Sequence, residues 1–147
     1  MNADQKRTFD RAFPNGRKGK EAHESRLHEQ VCNYLLAQYP KVRFISSLTG
    51  EHQGNVRIRA RNKNIQWGAG QPDLLIPHNN GIRVGLAIEL KRLSANPWKK
   101  DGNLRKSEHL QQQAAWLEYF VNQGWYACFV VGFDQAKDVI DKYMKRR

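Results

Sequence analysis

Apolar residues recur along the chain at the spacings of helices and strands. Between residues 24 and 38 they return every three or four positions, which predicts an amphipathic helix, and Pro40 follows its end. The apolar positions of this helix are Leu27, Val31, Tyr34 and Leu35. A second helix is predicted from Ser107, a suitable N-cap, to about residue 122, where Gly124 can stop it. A third is predicted from the cap Asp134 to about residue 144.

Four short segments are predicted to be strands. The first covers residues 41–46, and the next two, residues 73–76 and 84–90, are joined by a turn that contains Asn79, Asn80 and Gly81. The apolar run over residues 125–131 is typical of a fully buried strand. The order of elements is αβββαβ with a further helix at the C-terminus. This order predicts an α/β fold in which helices flank a mixed sheet.

The composition narrows the class of protein. A length of 147 residues suits one domain, which we expect over residues 23–147, after a polar, basic and flexible arm at residues 1–22. No apolar run approaches the ~20 residues that span a bilayer, and the first residues lack the apolar part of a secretory signal. We therefore expect a cytoplasmic protein without a membrane contact, in which Cys32 and Cys128 are reduced core residues.

The charge points to a polyanionic partner. The chain carries 25 Lys and Arg against 14 Asp and Glu, which gives a net charge of +11. Binding of a basic protein to nucleic acid releases counterions from the phosphates, so this balance favours a DNA or RNA partner. A basic surface without a specific role is the alternative.

Two basic segments are the candidate contacts with DNA. In the polar, Gly-rich stretch at residues 47–71, arginines alternate with apolar residues, so they would lie on one side of an extended ribbon at ~7 Å spacing, close to the phosphate spacing of one strand. The alternative is a solvated strand face. The candidate residues are Arg57, Arg59, Arg61 and Lys63 in this stretch, and Arg92, Lys99, Lys100 and Arg105 in a loop at residues 92–106.

The strand around Glu89 carries the candidate chemistry. Side chains alternate between the two faces of a strand, so one face is aliphatic and predicts core. Its residues are Val84, Leu86, Ile88 and Leu90. The other face carries Gly85 and Ala87, then Glu89 and Lys91, and it would leave space above the sheet for the acid and the base. The pattern Glu-x-Lys is weak by itself, because a solvated strand end also produces it.

Asp73 strengthens the pattern. It opens the preceding strand, and the hairpin would bring it close to Glu89. Two neighbouring carboxylates repel each other unless a cation joins them, and their oxygens suit Mg²⁺ or Mn²⁺. The alternative is an Asp that serves only as a turn residue.

Two further polar residues lie at core spacing on helices. Glu24 continues the inward stripe of the first helix, whereas Glu29 is rotated away by roughly 140°; a favourable first-turn acid is the equally weighted alternative for Glu24. Gln113 shares a helix face with Leu110 and Leu117, where a buried amide needs a partner. The histidines have no ligand spacing with the cysteines, so no zinc site is predicted, and no phosphate-binding Gly-rich loop indicates an organic cofactor.

These motifs together resemble the VRR-NUC family of the PD-(D/E)XK nuclease superfamily, in its stand-alone phage or bacterial form. Each motif is loose, but they occur in the family's order and span roughly residues 22–143. They are Gly70-Gln71-Pro72-Asp73, Ile88-Glu89-Leu90-Lys91, Gln113-Ala114-Ala115-Trp116, Gly124-Trp125-Tyr126, the opening Glu24-Ser25-Arg26-Leu27-His28 and the closing Gly132-Phe133-Asp134. His28 departs from the family, in which many members carry Gln at that position.

The resemblance implies a restriction-endonuclease-like core and a set of site residues. Asp73, Glu89 and the Leu90 backbone carbonyl would bind Mg²⁺ or Mn²⁺, with Glu24 as the helix-one acid that acts through water. Lys91 would be the catalytic lysine and Gln113 the helix glutamine of the site.

The resemblance also implies a function. The protein would be a metal-dependent DNA endonuclease, a homodimer acting on branched DNA such as four-way (Holliday) junctions, in a bacterial cell or a phage-infected host. The alternatives are a nuclease for flaps, ends or duplex DNA, or a catalytically silent DNA-binding module.

Overall fold

The structure of the protein is a computed structural model that describes residues 24–47 and 67–145, with side chains from residue 26 onward. The elements follow the predicted order, and the α/β fold class is confirmed. They are α1 (Glu24–Gln38), β1 (Ile45–Ser46), β2 (Leu74–Ile76), β3 (Leu86–Lys91), a short 3₁₀ helix (Leu93–Ala95), α2 (Glu108–Asn122), β4 (Tyr126–Val131) and α3 (Phe133–Lys145). The predicted arm at residues 1–22 lies outside the described residues.

The described strands form one mixed sheet in the order β1-β2-β3-β4. The first three are antiparallel, and β4 runs parallel to β3 after the crossover through α2. Alternate residues of β3 join α1 and α3 in the hydrophobic core, which contains Leu27, Val31, Leu35, Leu86, Ile88, Leu90 and Ile140. The opposite face of β3 lies under α2. Consequently β3 is buried on both faces, and any polar residue on it needs a partner there.

Three predicted strands differ in extent or burial. Of residues 41–46 only Ile45 and Ser46 are strand, because the chain first completes a turn in which the Val42 N–H donates to the Tyr39 carbonyl. Val84, predicted to face the core, precedes β3 and is 47% exposed, since it lies at the end of the sheet. The prediction that β4 is fully buried was wrong: Tyr126 is 45% exposed, because β4 is an edge strand among the described residues.

The helix ends follow simple capping rules, with one exception. The Ser107 side chain accepts a hydrogen bond from the Leu110 N–H, and Gly124 has a positive φ of 86°, as a residue that ends α2 should. The predicted cap Asp134 lies instead in the first turn of α3. Gly132 takes the cap position, because its carbonyl already accepts the first helical hydrogen bond, from the Ala136 N–H.

Asp141 joins α1 to α3 at the core surface. Its Oδ1 accepts hydrogen bonds from the hydroxyls of Tyr34 (2.6 Å) and Tyr39 (2.7 Å). Burial by itself would raise the pKa of Asp141, but these two hydrogen bonds and the nearby Lys145 and Lys137 bring it below its ordinary value. The pKa of Tyr39 is raised to about 12, by burial and by the carboxylate it faces. The ionised acid and the neutral phenols are therefore the states that the fold stabilises.

Cys32 and Cys128 are free thiols that pack against the core, and burial raises the pKa of Cys128 to about 12. Such a thiol is inert at neutral pH. No helix in the described part of the chain is long and apolar enough to cross a membrane.

Candidate active site

Asp73 lies at one end of the sheet. Hydrogen bonds from Leu90 of β3 and from Ser47, which follows β1, hold it there. Leu74 pairs with Ile88, so the next position of this register places Asp73 opposite Glu89. The Leu90 N–H donates to Asp73 Oδ2 at 2.7 Å, the Ser47 hydroxyl donates to Oδ1 at 3.4 Å, and the Ser47 N–H donates to the Asp73 carbonyl. The hairpin register therefore places the two predicted carboxylates at facing positions.

The Leu90 carbonyl points toward the same side of β3 as the Leu90 N–H, which is the side of Asp73 and Pro72. In an antiparallel pair the N–H and the C=O of one residue point to the same neighbour, and the Leu90 N–H points to the Asp73 side. Extension of the register places Pro72 opposite Leu90. Proline has no N–H to donate. Pro72 therefore cannot donate an N–H to the Leu90 carbonyl.

Glu89 and Lys91 lie buried beneath α2. Their side chains are only 3% and 9% exposed, and Lys91 Nζ is 3.4 Å from Glu89 Oε1. Gln113 of α2 is also buried, and its Nε2 donates to the same Glu89 oxygen. The ammonium and the amide offset part of the large desolvation cost of a buried carboxylate. The expected space above this face is therefore not open: α2 covers it, and Ala87 is fully buried.

Gln113 itself has one unsatisfied atom. Its Nε2 is used by Glu89, while its Oε1 is buried and has no hydrogen-bond partner among the described residues. A buried acceptor without a partner costs about 1–3 kcal/mol. A water molecule or another donor at the site would satisfy it.

The segment before Asp73 is anchored to α2 by close backbone contact. The Trp116 Nε1–H donates to the Ala69 carbonyl at 3.0 Å. Gly70 has a φ of 93°, and a Cβ built there would lie 2.8 Å from the backbone carbon of Gln112. Only glycine tolerates both conditions. The contact sets the distance between the Asp73 strand and the helix that carries Gln113.

The first helix supplies a residue that sequence reasoning left without a role. Glu24 is the first residue of α1, and its side chain lies outside the described ones. One turn later His28 is 3% exposed, and its Nε2 is 2.7 Å from the Ser46 hydroxyl. Ser46 precedes Ser47, which contacts Asp73. A signal was present in the sequence, because His28 lies three residues before Val31 and seven before Leu35 on the buried stripe. Glu29 is exposed, as its helical phase predicts.

The basic loop at residues 92–106 lies next to the site. Trp98 forms an isolated bridge with Leu104, and its ring meets the Phe129 ring edge-on with centroids 5.8 Å apart. Phe129 is the β4 residue paired with Glu89. Lys99, Lys100 and Arg105 of this loop are exposed and Arg92 is half-buried. Arg105 Nε donates to the Asn96 carbonyl, which fixes the end of the loop. The other predicted contacts, Arg57, Arg59, Arg61 and Lys63, lie outside the described residues.

The donor set suits a hard divalent cation. The described residues contain no group of three or more His, Cys, Asp or Glu side chains that could hold a metal ion. The set consists of two carboxylates, from Asp73 and Glu89, and the Leu90 carbonyl oxygen that Pro72 leaves available. Mg²⁺ is commonly bound by one or two carboxylates and retains several waters, so oxygen donors of this number and kind fit it.

Comparison with known proteins finds a likeness among solved structures. No family model matches the sequence, and no curated protein matches it. Among solved structures, the chain is similar to a VRR_NUC domain protein, with a TM-score of 0.62 and 26% sequence identity. The likeness covers 87% of this chain and 93% of the other. It therefore extends over most of both chains and not over a single motif.

Proposed function

We propose, from the likeness of this chain to a VRR_NUC domain protein, that the protein is a metal-dependent endonuclease that hydrolyses phosphodiester bonds in DNA. The observation that carries the proposal is the meeting of four predicted residues at one end of the sheet. Asp73 faces β3 through the Leu90 N–H, Glu89 contacts Lys91, and Gln113 of α2 donates to Glu89. These residues come from three separate parts of the sequence.

Each residue of the site has a distinct task in this proposal. Asp73, Glu89 and the Leu90 carbonyl would hold Mg²⁺ or Mn²⁺. When bound, such an ion lowers the pKa of a coordinated water and polarises the scissile phosphate. The Lys91 ammonium lies beside Glu89 and would stabilise negative charge that develops on the phosphate oxygens. Gln113 fixes the orientation of the Glu89 carboxylate.

The basic loop supports DNA as the substrate. Trp98 places Lys99, Lys100 and Arg105 one strand away from Glu89, where phosphates next to the scissile bond would lie. Arg92 begins the same loop, and Arg57, Arg59, Arg61 and Lys63 are proposed as a second contact. Within DNA we propose branched molecules such as four-way junctions as the preferred substrate. A homodimer would provide two symmetric sites to cut two strands, acting in the cytoplasm of a bacterial cell or a phage-infected host.

The test is a cleavage assay on junction, flap and duplex DNA with and without Mg²⁺ or Mn²⁺. We expect cleavage only with the metal. Asp73→Asn and Glu89→Gln should each abolish it, because each removes a ligand charge with little change in volume. DNA binding should persist or tighten, since both changes delete negative charge near phosphates. Glu118→Gln, an exposed acid on α2, is the matched control and should remain active.

Glu24 receives its own comparison in the same assay. Because Glu24 continues the inward stripe of α1 and Glu29 is exposed, Glu24→Gln should impair cleavage and Glu29→Gln should not. Metal-independent cleavage, or full activity of both Asp73→Asn and Glu89→Gln, would remove the proposed function. A protein that binds DNA but never cuts it, with any of these metals, would be a silent DNA-binding module instead.

A further inference from the structure

Trp67 is the most exposed large hydrophobic residue in the described part of the chain, with 82% of its surface in water. The other three tryptophans are half-buried and contact further aromatic rings: Trp98 meets Phe129, and Trp116 and Trp125 both meet Phe120. A tryptophan has a large apolar surface whose hydration is unfavourable. An indole this exposed is thus a candidate contact for a partner molecule.

The position of Trp67 points to a nucleic acid as the partner. It immediately precedes the segment that the Trp116 indole and the Gly70 contact fasten to α2, and this segment leads directly into Asp73. Six residues of chain span at most ~20 Å, which is about six base-pair steps along a duplex. Trp67 therefore lies no more than ~20 Å from Asp73, a distance that a nucleic acid in the candidate active site can span.

The chemistry of the surroundings agrees with a nucleobase. Proteins that bind single-stranded nucleic acid combine cationic side chains, which follow the phosphates, with aromatic side chains, on which bases stack. Here the cations are the exposed Lys99, Lys100 and Arg105 of the basic loop, on a chain of net charge +11. An acidic protein would satisfy the same cations, but only a nucleic acid carries a flat base beside every phosphate.

We propose that Trp67 stacks on an unpaired base of the bound DNA. The inference rests on the proposed function and adds to it a residue that selects among DNA structures. Bases inside a continuous duplex are already stacked on their neighbours and present no free face. A gap, a loop, a single-stranded flap or an opened branch point supplies one. Trp67 then favours DNA that contains unpaired bases over plain duplex, independently of the residues that cut.

The test measures binding in the Glu89→Gln background, so that cleavage does not interfere. Two DNAs of equal length are compared: a continuous duplex and a duplex that carries an unpaired loop of a few nucleotides. Trp67→Ala should weaken binding to the looped DNA by roughly 5- to 100-fold and leave the affinity for the duplex unchanged. Trp67→Phe should retain most of the affinity, because phenylalanine still stacks. Tyr126→Ala, an exposed aromatic at the opposite end of β4, should behave as the parent.

A second readout tests stacking directly. Replacement of the loop nucleotides by abasic residues should lower the affinity of the Trp67 protein to that of Trp67→Ala, which itself should not respond. The looped DNA should also quench tryptophan emission in the Trp67 protein and much less in Trp67→Phe. Equal weakening for both DNAs, or none, would overturn the inference while the proposed function stands. If the protein bound no DNA at all, both the inference and the proposed function would be contradicted.

Discussion

At the scale of single residues, the candidate site depends on two residues that carry no catalytic group. Pro72 has no N–H to donate to the Leu90 carbonyl, while the Leu90 N–H donates to Asp73. Gly70 allows the chain to touch the backbone of α2 two residues earlier. The segment that leads into Asp73 thus depends on the covalent properties of proline and glycine as well as on the carboxylate itself.

Gly70 and Gly68 offer a matched pair for testing this point. Both have positive φ values, 93° and 71°, but a Cβ at Gly68 would meet nothing within 4 Å. Gly68→Ala should therefore lower the free energy of unfolding by only about 1–2 kcal/mol, the cost of the left-handed backbone.

Gly70→Ala should cost more than Gly68→Ala, because α2 must also move. Urea unfolding measures the stability of both variants. In a cleavage assay Gly70→Ala should lose most of its activity, because the movement of α2 displaces Gln113 from Glu89, whereas Gly68→Ala should keep most of it. Equal effects of the two substitutions would show that the close approach to α2 is unimportant.

At the scale of elements, the two faces of the sheet serve different purposes. On one face α1 and α3 enclose the aliphatic side of β3 and form the core. On the other, α2 covers Glu89 and Lys91. The contact between α1 and α3 is reinforced by the Asp141 carboxylate and the hydroxyls of Tyr34 and Tyr39. This contact lies on the core face, so it can be tested without a change at the candidate site.

Asp141 makes the stability of the α1–α3 contact depend on pH. Because its pKa is lower in the folded protein than the ordinary value of 3.8, its contribution is present above pH 3.8 and is lost as the pH falls through the folded pKa. Thermal melting should show the parent more stable than Asp141→Asn near neutral pH. The difference should shrink below pH 3.8.

The tyrosines act in the opposite direction. With the pKa of Tyr39 raised from 10.0 to about 12, their contribution is lost as the pH rises from 10 to 12. A stability difference between the parent and Asp141→Asn that did not change with pH would contradict the assigned role of this carboxylate.

At the scale of the whole molecule, the proposed function implies that the net charge of +11 supplies affinity for DNA and that the basic loop directs it. Trp98 fixes this loop over Phe129, next to Glu89. If attraction to phosphate were general, the affinity for DNA would depend only on the number of positive charges. If the loop beside the site binds DNA, the charges of that loop contribute more to the affinity than charges elsewhere.

A comparison of two triple variants with the same change in charge separates these effects. Lys99, Lys100 and Arg105 changed together to Gln should weaken DNA binding and flatten the plot of log affinity against log salt, by up to ~0.9 for each lost phosphate contact. Lys137, Lys142 and Lys145 of α3, on the core side of the sheet, changed together to Gln should have a much smaller effect. Equal salt slopes for the two triple variants would show that DNA binds at another surface of the protein.

The order of elements and the catalytic candidates were open to sequence reasoning because local patterns encode them. Helix spacing, strand alternation and caps depend on neighbours within a few residues, and they were sufficient for α1, α2 and the face of β3 that carries Glu89. The family resemblance then joined Asp73, Glu89, Lys91 and Gln113 into one set. The short β1, the exposed start of β4 and the early start of α3 were missed, because strand pairing and helix ends depend on distant neighbours.

Only the tertiary structure decided how the site is enclosed and held. The sequence placed Glu89 and Lys91 on a face of small residues and suggested open space, yet the crossover from β3 to β4 lays α2 across that face and buries both charges. The contact of His28 with Ser46 and that of Trp98 with Phe129 join residues 18 and 31 positions apart. No local periodicity specifies such contacts, because they form only when separate elements pack around the same strand. The sequence by itself determined which chemical groups are available and which faces they occupy; the packing of α2, β1 and the basic loop determined their burial, partners and access.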